Sequence, residues 1–266
     1  MKRRIVTICL LVYKNAEELE PTIAALERQV FQGFDAEIII SDDGSKNYDT
    51  EILEEYAARL RKKYFEVRVN VNEENIGTVK HLNKVFHMAK GTILIPHSSG
   101  DAFYRESSLA TLVEKMEKSG KRIFTTRRLD LYPDGKKKKR PSIYTGVWMK
   151  YFPNSFLRSM ICKRNVLSGC CTIYRKDLLE EQGYFDEEYH LVEDYPFYTE
   201  LLLQKESFGW CRDVIFCHRI GGVSTGKIHP SIYKDIERMR EKLLKRSDLD
   251  KKTARFLEQN RTEREG

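Results

Sequence analysis

No apolar run in this chain approaches the roughly 20 residues a membrane-spanning helix needs. The opening "MKRRIVTICLLVY" sets basic residues before apolar ones, yet no small-residue cleavage site follows. That argues against a signal peptide and for a buried parallel strand. No Cys-x-x-Cys pair occurs among the six cysteines, Cys9, Cys162, Cys170, Cys171, Cys211 and Cys217. A structural zinc site is therefore not expected. Reduced thiols and a cytoplasmic location are. There is no internal repeat and no low-complexity linker. No nucleic-acid-binding module is recognisable, so the basic charge is no reason to expect nucleic acid.

What is present is a globular balance: 266 residues, 41% hydrophobic and 33% charged. That length suits one large domain or two small ones with a sizeable core. The net charge of +7 is unevenly spread. Lys136 to Arg140 is an unbroken basic run, and 228–266 is rich in Lys and Arg. Such surfaces suit anionic partners such as nucleotides, phosphates or anionic lipid.

Periodicity predicts strand and helix in strict alternation over the first 100 residues. Strands are expected at 5–13, at "AEIIISDDGS", at "FEVRVNVN" and at "TILIP". Helices are expected at 15–30 (apolar Leu19, Ile23, Leu26, Val30), at "YDTEILEEYAARLRKKY" and at "GTVKHLNKVFHMAK", with Gly91 closing the third. This order means a parallel sheet wrapped by helices. Ligands of such sheets sit beyond the carboxyl ends of the strands. Here those ends read "YKN", "SDDGS", "NEENIG" and "HSSGD". The second half predicts a helix at "SSLATLVEKMEKSG", then a strand, a turn at Pro133-Asp134-Gly135 and a basic loop. An aromatic-rich, loosely periodic stretch follows from Gly146 to Gly169. A strand and helix at "CCTIYRKDLLEEQGYF", a helix at "EDYPFYTELLLQK", a last strand at "IFCHRIGGVS" and one long charged helix from Ile232 complete the chain.

Four short stretches can carry chemistry. In "SDDGS", Asp42 and Asp43 can accept hydrogen bonds from a base or ribose, and Gly44 permits a sharp turn; an Asx-type turn that caps the next helix suits the same residues. In "NIGTVKHLN", Gly77 admits close backbone approach and Lys80 lies one helical turn further on, in reach of a diphosphate. In "SSGDA", Asp101 can hold Mg2+ or Mn2+, which take oxygen ligands and keep several waters. In "VEDYPFY", Glu193 and Asp194 offer a general base, although acids at a helix N-terminus are favoured by the helix dipole alone.

Taken together, "TICLLVYKN", "IIISDDGS", "NIGTVKHLN", "AKGTILIPHSSGD", "GYFDE" and "VEDYPFY" resemble the inverting family 2 glycosyltransferases with the A-type fold, over roughly residues 4–225. The resemblance implies an α/β fold: a mainly parallel, Rossmann-like nucleotide-sugar-binding sheet flanked by helices, with a C-terminal helical extension. It implies a glycosyltransferase domain at 1–227, split into a donor half (1–104) and an acceptor half (105–227), and a charged extension at 228–266. A nucleotide-sugar donor, in particular a UDP-sugar, is implied to bind through Tyr13, Asn15, Asp42, Asp43, Asn75, Gly77, Lys80, Ser99, Gly100, His218, Arg219 and Ser224. Mn2+ or Mg2+ is implied on Asp101, with Asp194 as catalytic base beside Glu193. The implied acceptor is a saccharide or a lipid-linked molecule, in cell-surface polysaccharide synthesis.

The chain departs from the family pattern in two places. The Asp-x-Asp motif reads Ser99-Gly100-Asp101, and Leu82 stands where many members carry arginine. A sugar-phosphate nucleotidyltransferase shares the sheet type, but its glycine-rich loop after the first strand is absent from "YKNAEELE". The thinned metal motif also fits a non-catalytic nucleotide-sugar-binding module, against which the retained "VEDYPFY" stands. Basic and aromatic residues over 136–162 suit peripheral contact with an anionic membrane at its inner face, and the C-terminal extension suits a homodimer contact.

Overall fold

The computed structural model describes residues 4–14, 18–47, 49–221 and 229–262, the last three by backbone alone. The first half alternates as the periodicity predicts. It runs β1 (Ile5–Val12), α1 (Leu19–Glu27), β2 (Asp35–Asp42), α2 (Glu51–Leu60), β3 (Glu66–Val71), α3 (Thr78–Met88) and β4 (Ile93–Ser98). β1 lies between β2 and β4, parallel to both, and β3 lies parallel beyond β2. Val6, Ile8 and Leu10 of β1 pack with Ile38 and Ile40 of β2 in one cluster, while Cys9, Ile39 and Leu94 face a second cluster on the other side. Burial on both faces explains why these strands read as continuous apolar runs rather than alternating ones.

The second half contributes β5 (Ala102–Phe103), α4 (Ser108–Ser119), β6 (Ile123–Leu131) and β7 (Lys137–Arg140). Next come α5 (Thr145–Tyr151), α6 (Pro153–Cys162), a 3-10 turn at Gly169–Cys171, β8 (Thr172–Arg175), α7 (Lys176–Gln182), α8 (Asp194–Leu203) and β9 (Gly209–Arg219). The sheet order is β3-β2-β1-β4-β8-β6-β9-β5, with β7 paired to β6. β8 runs antiparallel to both β4 and β6, whereas β9 is parallel to β6. The sheet is thus parallel in its first half and mixed in its second.

Several local expectations are corrected. The basic run is not a loop: Lys137–Arg140 forms a hairpin with β6, Arg140 opposite Arg128 and Lys137 opposite Leu131. Gly91 is no helix cap; a Cβ there would sit 2.5 Å from Thr7 Oγ1 and 2.6 Å from the Thr7 nitrogen, so glycine lets β1 approach closely. Val30 lies past the end of α1 and is exposed. The aromatic-rich stretch folds into two helices, α5 and α6, broken at Phe152-Pro153 where proline starts the second. The C-terminal charged stretch is two helices, α9 (Pro230–Leu244) and α10 (Lys251–Thr262). Their apolar residues Met239, Leu243 and Leu257 are buried in the second cluster with Phe156 and Met160.

Candidate active site

The carboxyl ends of β1, β2 and β4 open into a cleft of about 1060 Å³. Tyr13, Asp43, Asn75, Ser99, Asp101, Glu193, Asp194, His218 and Arg219 all line it. Asn15 and Ser224 lie outside the described residues.

At the β2 end the two acids part. Asp42 turns back on its own loop, where its carboxylate accepts the Ser45 amide and hydroxyl, both at 2.7 Å. Asp43 reaches the cleft and organises its floor: Asn72 Nδ2 donates to it at 2.9 Å, and the Ile76 and Gly77 amides at 3.1 Å each. Gly44 is needed here. Its φ is +70°, and a Cβ would lie 2.4 Å from the Glu74 carbonyl carbon. Lys80 is exposed and is not among the residues that line the cleft. One position further, His81 does line it, its Nε2 2.7 Å from Ser41 Oγ. Burial lowers the His81 pKa, opposed by the carboxylates of Asp43 and Asp42.

At the β4 end, Gly100 takes φ +87° and its amide donates to Thr22 Oγ1 at 3.1 Å, which swings Asp101 back under the sheet. Asp101 is 3% exposed. His218, on β9, lies with Nδ1 2.7 Å from Asp101 Oδ1. Burial raises Asp101 to about 6, against the pull of His218. Burial also pushes His218 down, but its bonds to Asp101 and Cys170 outweigh this and carry it up to about 10. Cys170, from the 3-10 turn, completes a cluster whose ligand atoms lie within 4.8 Å of one another. Arg128 Nη1 is 3.0 Å from the Cys170 sulfur and also donates to Ser168. The Cys171 thiol, against burial, and then Arg128 hold the Cys170 thiol well below its usual pKa. Asp101 Oδ2 is buried and has no hydrogen-bond partner among the described residues. A spare carboxylate oxygen beside an imidazole and a thiol is a donor set that fits a divalent ion. His97 is not part of it; the ring packs against Phe103 and Phe216, and burial holds its pKa near 4.

Across the cleft, Glu193 caps α8 and Asp194 is its first residue. The Gly169 amide donates to Asp194 Oδ2 at 2.8 Å. Burial raises Asp194 to about 6 despite that bond, and burial together with Asp194 raises Glu193 to about 8. Acids held near neutrality inside a cleft are poised for proton transfer. Lys163, Arg164 and Arg240 line the same cleft, and Arg240 Nε is buried without a hydrogen-bond partner among the described residues. Cys170, Arg128, His81 and Arg240 were not foreseen from the sequence. "GCC" beside Gly169 was the one available signal, and it is visible only once β8 is placed next to β4.

A cleft at the carboxyl ends of the strands, with an acid and histidine pair facing an acid pair, is where α/β folds of this kind place their ligand sites. Residues 7–183 match the family model "Glycosyl transferase family 2", and the chain belongs to that family. It is similar to glycosyltransferase AglE of Haloferax volcanii, 24% identical over 216 residues, which cover 80% of this chain and 66% of that protein. Among solved structures, S. aureus TarS 1-349 in complex with UDP-GlcNAc superposes with TM-score 0.68 at 16% identity, over 95% of this chain and 70% of that one. The mannosyltransferase PcManGT from Pyrobaculum calidifontis, in complex with GDP-Man and Mn2+, gives 0.68 at 14%, over 98% and 70%. Full-length S. aureus TarS is matched over only 42% of its length. The likeness establishes the A-type glycosyltransferase fold expected from the motifs.

Proposed function

We propose that the protein is an inverting glycosyltransferase that moves a sugar from a UDP-sugar to a saccharide or lipid-linked acceptor in cell-surface polysaccharide synthesis. One observation carries the reading: Asp194, partly buried and held at about 6, stands in the same cleft as the Asp101–His218 pair and the Asp43 loop. Asp43, Asn75 and Tyr13 hold base and ribose. Asp194 takes the proton from an acceptor hydroxyl. The hydroxyl oxygen bonds to the anomeric carbon as the bond to the diphosphate oxygen breaks, so the nucleoside diphosphate leaves with that electron pair and the configuration inverts. Asp101, through its spare Oδ2, would hold Mn2+ or Mg2+, with His218 able to join once it loses its proton, and the ion would supply charge neutralisation for the diphosphate. Arg128 brings a fixed cation to the same end.

Three cations, Lys163, Arg164 and Arg240, line the cleft with Asp194. They suit an acceptor that carries a phosphate or an acidic sugar. No described helix is long and apolar enough to cross a membrane. Instead Ile143, Tyr144, Val147, Tyr151 and Phe152 are all exposed, Tyr144 at 71%. Positions 144, 147 and 151 share one face at helical spacing, and exposed Lys137–Lys139 lie on the adjoining strand. An aromatic face rimmed by lysines supports peripheral attachment to anionic lipid.

The enzyme reading is tested by thermal shift and turnover with UDP-sugars, with and without Mn2+. If no nucleotide sugar raises the melting temperature and none is turned over, the reading fails. Attachment is tested by cosedimentation with phosphatidylserine vesicles. Equal binding by a chain with Lys136 to Lys139 changed to Ser removes the electrostatic part.

A further inference from the structure

The carboxylate of Asp235, on α9, is 3% exposed and faces the backbone just ahead of the acid pair. Its Oδ2 accepts three consecutive amides: His190 at 2.9 Å, Leu191 at 2.7 Å and Val192 at 3.1 Å. Successive N–H groups converge on one oxygen only when the backbone curls into a concave cradle. The next residue is Glu193, the cap of α8, and the one after is Asp194. The curl of 190–192 therefore sets where α8 begins. The other side of this loop is fixed as well: a Cβ on Gly77 would lie 3.1 Å from His190 Cε1, and the Gly77 amide is held by Asp43. The loop is wedged between the donor end of the cleft and α9.

We propose that Asp235 is a positioning residue for glycosyl transfer: by holding the 190–192 backbone it fixes where the Asp194 carboxylate stands. This rests on the reading of Asp194 as the base. Asp194 has its own anchor in the Gly169 amide, which comes from a different part of the chain. Without Asp235 the backbone under Asp194 shifts while Gly169 does not, and the two lose register. Lys242 ties the same helix to Asp186 at 2.6 Å and Glu188 at 2.8 Å, but these contacts are solvent-exposed and contribute little. Loss of Asp235 instead leaves three amides without their buried acceptor.

The test compares Asp235→Ala, Asp235→Asn and Lys242→Ala, read as Mn2+-supported turnover of UDP-GlcNAc, including its hydrolysis. The alanine variant should lose about 10- to 100-fold in kcat, the scale of a roughly 1 Å misplacement, with donor KM and UDP-induced stabilisation unchanged. The asparagine variant keeps an acceptor oxygen and should recover most of kcat. Lys242→Ala should match the wild type. A folded alanine variant with wild-type kcat overturns the proposal, and so does a loss confined to donor KM. Hydrogen exchange at the 190–192 amides of the unaltered chain gives a reading that needs no variant: slow exchange is expected, and fast exchange there sinks the clamp. If the wild type turns over no nucleotide sugar, the function reading has failed instead, and the exchange result still stands.

Discussion

At Asp194, burial raises the carboxyl to about 6 while the Gly169 amide stabilises its charged form. The balance leaves it ionised at neutral pH but still basic enough to accept a proton. Asp194→Asn should keep UDP-induced stabilisation and lose about 10²- to 10⁴-fold in transfer rate; unchanged transfer would remove Asp194 as base. The base works only when deprotonated, so kcat should rise with pH through about 6, and a pH–rate profile checks this. Glu193, like Asp194, works against stability as pH rises. Its folded pKa, raised to about 8, lies above that of an unfolded glutamate. The unfolded chain therefore sheds its proton first, and Glu193 costs stability as pH rises from about 4 towards 8. Glu193→Gln should raise the melting temperature at pH 8 and change it little at pH 4, measured by calorimetry.

Among the elements, the turn between β2 and α2 carries the proposed donor end. Gly44 adopts a left-handed φ, and a Cβ would meet the Glu74 backbone. Gly44→Ala should cost roughly 1–3 kcal/mol. For a chain of this size that is a fall of several degrees in melting temperature. It should also weaken UDP binding, because the Asp43 carboxylate that holds the Ile76 and Gly77 amides moves with the turn. Stability lost with UDP affinity retained would detach this turn from the donor site. The β6–β7 hairpin and α5 carry the exposed aromatic and lysine face proposed to meet anionic lipid. Changing Tyr144 and Tyr151 to Ser should abolish vesicle binding but leave the melting temperature within about 2 °C, since both rings are exposed.

For the whole molecule, the sheet joins a parallel first half to a mixed second half, and residues from both line the cleft. α9 and α10 belong to this body, because Met239, Leu243 and Leu257 are buried against α6 and its neighbours. Chain length from Pro230 on is thus tied to the catalytic end through Asp235 and to the core through these three side chains.

The sequence by itself determined the first half of the fold. Each β–α repeat there is local, buried on both faces or amphipathic, and ends at its own polar turn, so period and punctuation sufficed. It also placed Asp43, Asp101, Glu193, Asp194 and His218 at the cleft, because each stands at an element end. What only the tertiary structure decided is who meets whom across the sheet. β8 pairs antiparallel to β4, the acid pair begins 151 residues beyond Asp42, and no local pattern encodes that pairing. That pairing brings Cys170 to Asp101 and Gly169 to Asp194, while the turn after β2 sends Asp42 back to Ser45 and Asp43 into the cleft, and Lys80 does not line it. The motif Ser99-Gly100-Asp101 reads as thin because Cys170 and His218, which meet Asp101, lie 69 and 117 residues further along the chain, on a 3-10 turn and a strand placed by packing rather than by spacing.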